Sequence, residues 1–169
     1  MKVLKKQTNS SDCIVCGMNN ELGLKVQFYE MENGYLVGCF KGINEHQSFP
    51  GRMHGGVISA ILDEGIGRAI WSFEPNTWGV TTHLNVKYRK PVPLNEELML
   101  ISKINENKKR LFEGSGIIVN KEHQILAEAT AIFFKMPLDK IATENIEHDK
   151  IDKLYPDNVN EIDIDDIIL

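Results

Sequence analysis

In this 169-residue chain the groups best suited to chemistry are His54-Gly55-Gly56 and Asp63, a carboxylate nine residues after the histidine. Paired glycines at a helix start leave backbone N–H groups open to close approach, with the helix dipole behind them. Such a start can receive an oxyanion or a polarised carbonyl oxygen. Asp63 stands among Ile61, Leu62 and Ile66, and a carboxylate beside an apolar stripe needs a task or a partner. Gly55 and Asp63 are eight residues apart, about 12 Å along a helix at ~1.5 Å per residue. A reacting carbonyl needs its donor and its base or nucleophile each within roughly 3 Å, so one chain's pair cannot serve one carbon. If both act, the glycines of one subunit must face the aspartate of another across antiparallel helices, which a two-fold dimer arranges twice.

A helix must carry these groups, and the spacing predicts one. Ile58, Ile61, Leu62, Ile66, Ala69 and Ile70 recur at helical intervals, and Glu64 with Arg68 makes a solvated i,i+4 pair. The helix begins near Gly55-Gly56 and fails before Pro75. Gly65 and Gly67 inside it cost about 1 kcal/mol each relative to alanine, which points to close approach of another backbone. Two β-prone runs, 25–31 and 35–40, flank Glu32-Asn33-Gly34 as a hairpin, and 43–53 reads as a loop. After the helix the period becomes two: Val80, Leu84, Val86 and Tyr88 form an apolar face, with Thr81, His83, Asn85, Lys87 and Arg89 opposite. Residues 97–104, 111–119 and 124–134 supply three more strands. In the last, Ile125, Ala127, Ala129, Ala131 and Phe133 share a face whose alanines leave room for a helix. The expected fold class is therefore α+β, an antiparallel sheet of five or six strands curled around one central helix. It divides into an N-terminal segment, 1–23, a body, 24–137, and an acidic, mobile tail, 138–169, in which Ile162, Ile164, Ile167 and Ile168 are free to dock.

The charge separates body from tail. The chain is formally −5, but residues 138–169 hold ten acidic residues and three lysines, which leaves the body at +2. That balance gives no strongly basic face for nucleic acid, and no apolar run is long enough to span a membrane. Three cysteines, an odd number, argue against a secreted disulfide framework, so the expected compartment is the cytoplasm. Cys13-x-x-Cys16 lacks the second close pair a zinc site needs, and the βαβ context of a thioredoxin-like motif is absent, so neither metal nor redox cofactor is expected. Trp71, Phe73 and Trp78 lie near the end of the helix, either lining a pocket or filling the core. The tail is expected to be dispensable for chemistry.

The run from His54 to Glu64 resembles the helix-start motif of hotdog-fold acyl-CoA thioesterases of the phenylacetate-degradation (PaaI-like) type. Gly79 to Val92 resembles the strand that follows this helix in that family. Cys13-x-x-Cys16-Gly17 with Asn20-x-x-Gly23-Leu24 resembles the start of a branch that includes the mammalian thioesterase-superfamily members. The resemblance spans roughly residues 13–137 in order and agrees with the sheet-plus-one-helix reading.

The resemblance implies hydrolysis of an acyl-CoA thioester by a homo-oligomer, a dimer or a pair of dimers. Asp63 matches the nucleophile or general base, Gly55 the N–H that polarises the carbonyl, Thr81 a Ser/Thr that holds the water or carboxylate, and His54 the motif histidine. Some relatives carry an Asn six residues before this histidine, where this chain has Ser48 with Gln47 beside it. Gly56 and Glu64 join the expected substrate-binding set, and Arg89 and Lys90 end the strand where CoA phosphates would be met. Two other functions use the same fold: a non-catalytic acyl-CoA-binding regulator and a hotdog dehydratase or hydratase. The carboxylate at 63 and the His-Gly-Gly…Asp order favour the hydrolase.

Overall fold

The computed structural model describes residues 1–143 and 146–169. Its centre is α1 (Gly55–Arg68), continued by a 3-10 turn over Ala69–Ser72. Seven strands form one antiparallel sheet: β1 (Val3–Lys6), β2 (Gln27–Met31), β3 (Leu36–Lys41), β4 (Gly79–Tyr88), β5 (Glu97–Asn107), β6 (Leu111–Val119) and β7 (Ile125–Lys135). Their order is β1-β2-β3-β5-β6-β7-β4, so the ten-residue β4 is an edge strand directly after the helix in sequence. The expected hairpin turns at Gly34, whose φ of 82° is one that glycine adopts freely. The seventh strand, β1, comes from the N-terminal segment, which shows no alternation of its own.

The helix lies on β3 to β7 because the sheet leaves space for it. Ile61, Leu62, Ile66 and Ile70 are fully buried, each contributing about 1.5–3 kcal/mol by leaving water. Ala127, Ala129 and Ala131 face the helix, and Cβ atoms added at Gly114 and Gly116 would meet Ile66 at 2.6 and 3.0 Å. The approach to the helical glycines comes from side chains of the sheet rather than from a second backbone. A Cβ at Gly65 would meet Leu100 at 1.7 Å, and one at Gly67 would meet the Phe133 ring at 3.1 Å. Ile125 leaves the alanine face, because the register shifts between Ile118 and Val119 and Leu126 takes the buried place.

The end of the acidic C-terminal stretch, residues 162–169, packs on the sheet, where its composition suggested mobility. After two short turns, α2 (Leu138–Ile141) and α3 (His148–Ile151), the chain crosses the sheet face opposite the helix. There Ile162, Ile164 and Ile167 join Met1, Tyr29, Met31, Val37, Ile101 and Val119 in a second apolar cluster, with Ile164 fully buried. Ile168 is 90% exposed. Met1 N donates to the Ile162 carbonyl and Val3 N to that of Asn160, so the two ends of the chain hold each other on the sheet.

Candidate active site

The start of α1 is built by His54. Its backbone is extended (φ −66°, ψ 137°) and its Nδ1 accepts the Gly56 N–H at 2.9 Å, an N-cap made by an imidazole. Val57 N and Ile58 N both donate to the His54 carbonyl. Among the described residues this leaves Gly55 N–H as the unpaired donor of the first turn, the group at which the helix dipole is aimed. The Gly56 N–H, expected to meet substrate, is spent on the cap.

Tyr88 and Ser59 surround Gly55, and neither stood out in the sequence. The Tyr88 ring passes 3.6 Å from where a Gly55 Cβ would be, and its hydroxyl donates to the Gly55 carbonyl at 3.1 Å. Ser59 Oγ lies 2.7 Å from that hydroxyl and donates to the same carbonyl. The signal was present in the spacing: Ser59 is one turn beyond Gly55, and Tyr88 falls on the helix-facing side of β4. Beside the helix start, an apolar crevice of about 350 Å³ opens between His54, Gly56, Val57 and Ala60 on one side and Ile14, Leu22 and Leu24 on the other.

Asp63 is two turns further along the helix, half-buried. Its Oδ1 accepts from Thr81 Oγ1 at 2.7 Å. Burial holds its carboxyl above the ordinary aspartate range, the Thr81 hydrogen bond opposes that shift, and the neighbouring Glu64 charge adds to it. The two side chains meet because β4 is irregular. Its register with β7 slips between Thr81 and His83: Thr81 pairs with Phe133 and His83 with Ile132, so Thr82 is an extra residue. This bulge moves Thr81 from the His83–Asn85 face, where strict alternation put it, to the helix side. Val80 is turned the other way and is 39% exposed, although alternation assigned it to the core. A small cavity of about 120 Å³ beside Asp63 and Thr81 is walled by Gly67, Trp71, Trp78 and Phe133. The two tryptophans meet edge to face at 5.0 Å, and Trp71 Nε1 donates to the Thr77 carbonyl. Phe73 stands apart, 56% exposed.

The remaining expected residues are placed elsewhere or already engaged. Glu64 and Arg68 do pair, at 2.6 Å, but the pair is not solvated: Arg68 is buried, stacked on Phe28 and Trp71, and donates to the Thr8 carbonyl and to Cys16 Sγ. Gln47 Oε1 accepts from Gly51 N, and Ser48 N donates to the Arg52 carbonyl, so both organise the exposed loop before His54. Arg89 is paired with Glu128 at 2.6 Å and Lys90 reaches Gln124 at 3.3 Å, both on the surface.

One long helix seated on a seven-stranded antiparallel sheet is a hotdog fold. The family model of the thioesterase superfamily matches residues 50–127, somewhat under half of this chain. It is 28% identical to acyl-coenzyme A thioesterase THEM4 of Rattus norvegicus over 141 residues, 82% of this chain and 60% of that protein. A solved thioesterase superfamily protein superposes with a TM-score of 0.67 at 28% identity, covering 74% of this chain and 60% of the other. The E. coli PaaI protein from the phenylacetic acid degradation operon shares the fold, with a TM-score of 0.60 at 16% identity over 67% of this chain and 80% of that one. The chain thus spans about three fifths of the rat protein's length. Among the described residues no helix is long and apolar enough to cross a membrane.

Proposed function

We propose that this protein hydrolyses the thioester of an acyl-CoA to the free acid and CoA. Asp63 acts as nucleophile or as the general base for water, and the Gly55 N–H polarises the carbonyl. The observation that carries the reading is the half-buried Asp63 carboxylate, raised above its ordinary range, held by Thr81 and facing a cavity. A base or nucleophile works best when its pKa approaches the operating pH, and this environment moves Asp63 that way. The acyl-CoA thioesterase name of the rat relative supports the same substrate class.

The site is completed by a second copy of the chain. Along one helix Gly55 and Asp63 are about 12 Å apart, too far to act on one carbonyl. β4 is an edge strand whose outer side is unpaired among the described residues, which supports pairing between two copies beside their helices. His54 serves by capping the helix, and Thr81 by holding the Asp63 carboxylate. Ser48, Gln47, Arg89 and Lys90 are engaged with other residues on the surface and are not given a substrate role. All three cysteines are free thiols, consistent with a reducing compartment such as the cytoplasm.

The shared site is tested by mixing two inactive variants. Gly55→Pro deletes the donor at a first helical position that proline suits, after an extended His54 that proline also accepts. Asp63→Asn deletes the carboxylate. Mixed and allowed to exchange, the two should regain roughly a quarter of wild-type turnover, since half the dimers are mixed and each carries one intact site. No recovery between chains that demonstrably exchange would overturn the shared site.

A further inference from the structure

The sequence set the Cys13-x-x-Cys16 pair aside for want of a βαβ unit, yet the fold surrounds it with groups that suit thiol chemistry. Cys13 Sγ, Cys16 Sγ and a Glu64 carboxylate oxygen all lie within 4.8 Å of one another. The pair closes one tight turn, with Gly17 N–H on the Cys13 carbonyl at 2.8 Å. This i→i+4 turn is one helical turn, which holds the two cysteines on neighbouring positions with their sulfurs within 4.8 Å of each other. Gly17 has no room for a side chain, since a Cβ there would lie 2.2 Å from the Cys13 carbonyl oxygen.

The two thiols differ in role. Cys13 is partly exposed, its Sγ accepts the Val15 N–H at 3.3 Å and lies 3.9 Å from Glu64 Oε2. Hydrogen bonding from Cys16 and from backbone N–H groups pushes its thiol down to about 7. Cys16 is fully buried, and the Arg68 guanidinium donates to its sulfur at 3.0 Å. Its hydrogen bond to Cys13 and its burial push that thiol well up. A partly exposed, easily ionised cysteine three residues before a buried, protonated one is the asymmetry that thiol–disulfide exchange requires. The same groups are poorly arranged for a metal. Zinc takes four ligands, only three are gathered among the described residues, and Arg68 already brings a positive charge to the Cys16 sulfur.

We propose that Cys13 and Cys16 form a thiol–disulfide exchange site for low-molecular-weight disulfides of the glutathione type, with Cys13 the attacking thiol, Cys16 the resolving thiol and Glu64 the proton acceptor. The Cys13 thiolate attacks one sulfur of the disulfide, forming a mixed disulfide and releasing one small thiolate. Cys16 gives its proton to the Glu64 carboxylate and attacks the Cys13 sulfur, expelling the second small thiolate. That thiolate takes the proton from Glu64. Two protein thiols are oxidised to one disulfide, and one small disulfide is reduced to two thiols. Closure removes the Cys16 thiol from Arg68 and the Cys13 thiol from Glu64, one residue from Asp63. This inference does not depend on the hydrolase reading.

The test exposes the full chain to oxidised glutathione and follows intact mass together with released thiol. The wild type should lose two hydrogens, release two glutathione thiols per chain and keep no adduct. Cys16→Ser should hold one glutathione on Cys13, formed at least about tenfold faster than any adduct on Cys39, a partly buried thiol that desolvation pushes up to about 11. Cys13→Ser should leave Cys16 unmodified, and Glu64→Gln should accumulate the mixed disulfide. Adducts on Cys39 in preference to Cys13, a lasting adduct on the wild type, or a stoichiometric zinc that blocks exchange would each overturn the proposal. The wild-type release stoichiometry decides the matter even if the Cys16 variant fails to fold.

Discussion

Thr81 Oγ1 donates to Asp63 Oδ1 across 2.7 Å, joining the edge strand to the third turn of the helix. The contact exists because Thr82 is an extra residue in β4, and without that bulge Thr81 would face away from the helix. A hydrogen bond to a carboxylate favours its charged form, so Thr81 restrains the upward shift that burial imposes on Asp63. Thr81→Ala removes that restraint. Asp63 must be ionised to act, so activity falls as pH drops through its pKa. The acid limb of kcat/KM against pH should therefore move to higher pH in Thr81→Ala and stay in place in Thr81→Ser. A limb that is unmoved or moves downward in Thr81→Ala would contradict the role given to the hydroxyl.

His54 tests capping against direct chemistry. With Nδ1 on the Gly56 N–H, the ring does the work of an N-cap, which is worth about 1 kcal/mol. His54→Ala should lower the urea midpoint accordingly and reduce kcat, whereas His54→Asn, a good capping residue, should keep both near wild type. If His54→Asn were as inactive as Asp63→Asn while remaining folded, the histidine would have a chemical role beyond the cap.

The periodicity of α1 and the Asn33-Gly34 hairpin were legible because each is decided by local spacing. The face on which Thr81 sits was not, since one inserted residue reverses the parity of everything before it, and period-two reading assumes none. Glu64 and Arg68 were legible as a pair, but their burial depends on Thr8, Cys16 and Phe28, which reach Arg68 from distant parts of the chain. The C-terminal isoleucines were seen as free to dock. Their binding place is a sheet face assembled from five strands, and no local pattern encodes it.

That docked segment makes its own prediction. Ile164 is fully buried on the outer face of the sheet, and Ile168 four residues later is 90% exposed. Ile164→Ala should destabilise the fold by about 2–5 kcal/mol, and Ile168→Ala should change it by less than about 0.5 kcal/mol. Removal of residues 138–169 should uncover the cluster around Met31, Val37 and Ile101 and lower the melting temperature. Equal stability of the two isoleucine variants would mean the segment does not hold the sheet in solution.

The central claim is that Asp63 drives hydrolysis of an acyl-CoA thioester, and thiol release measures it directly. Wild type and Asp63→Asn are compared over short, medium, long and aromatic acyl-CoAs, with the oligomeric state of both checked by light scattering. The account predicts clear release by the wild type on at least one acyl class and a loss of at least ~10²-fold in Asp63→Asn with the oligomer intact. Release at the wild-type rate by Asp63→Asn, or no release by the wild type on any class, would contradict it.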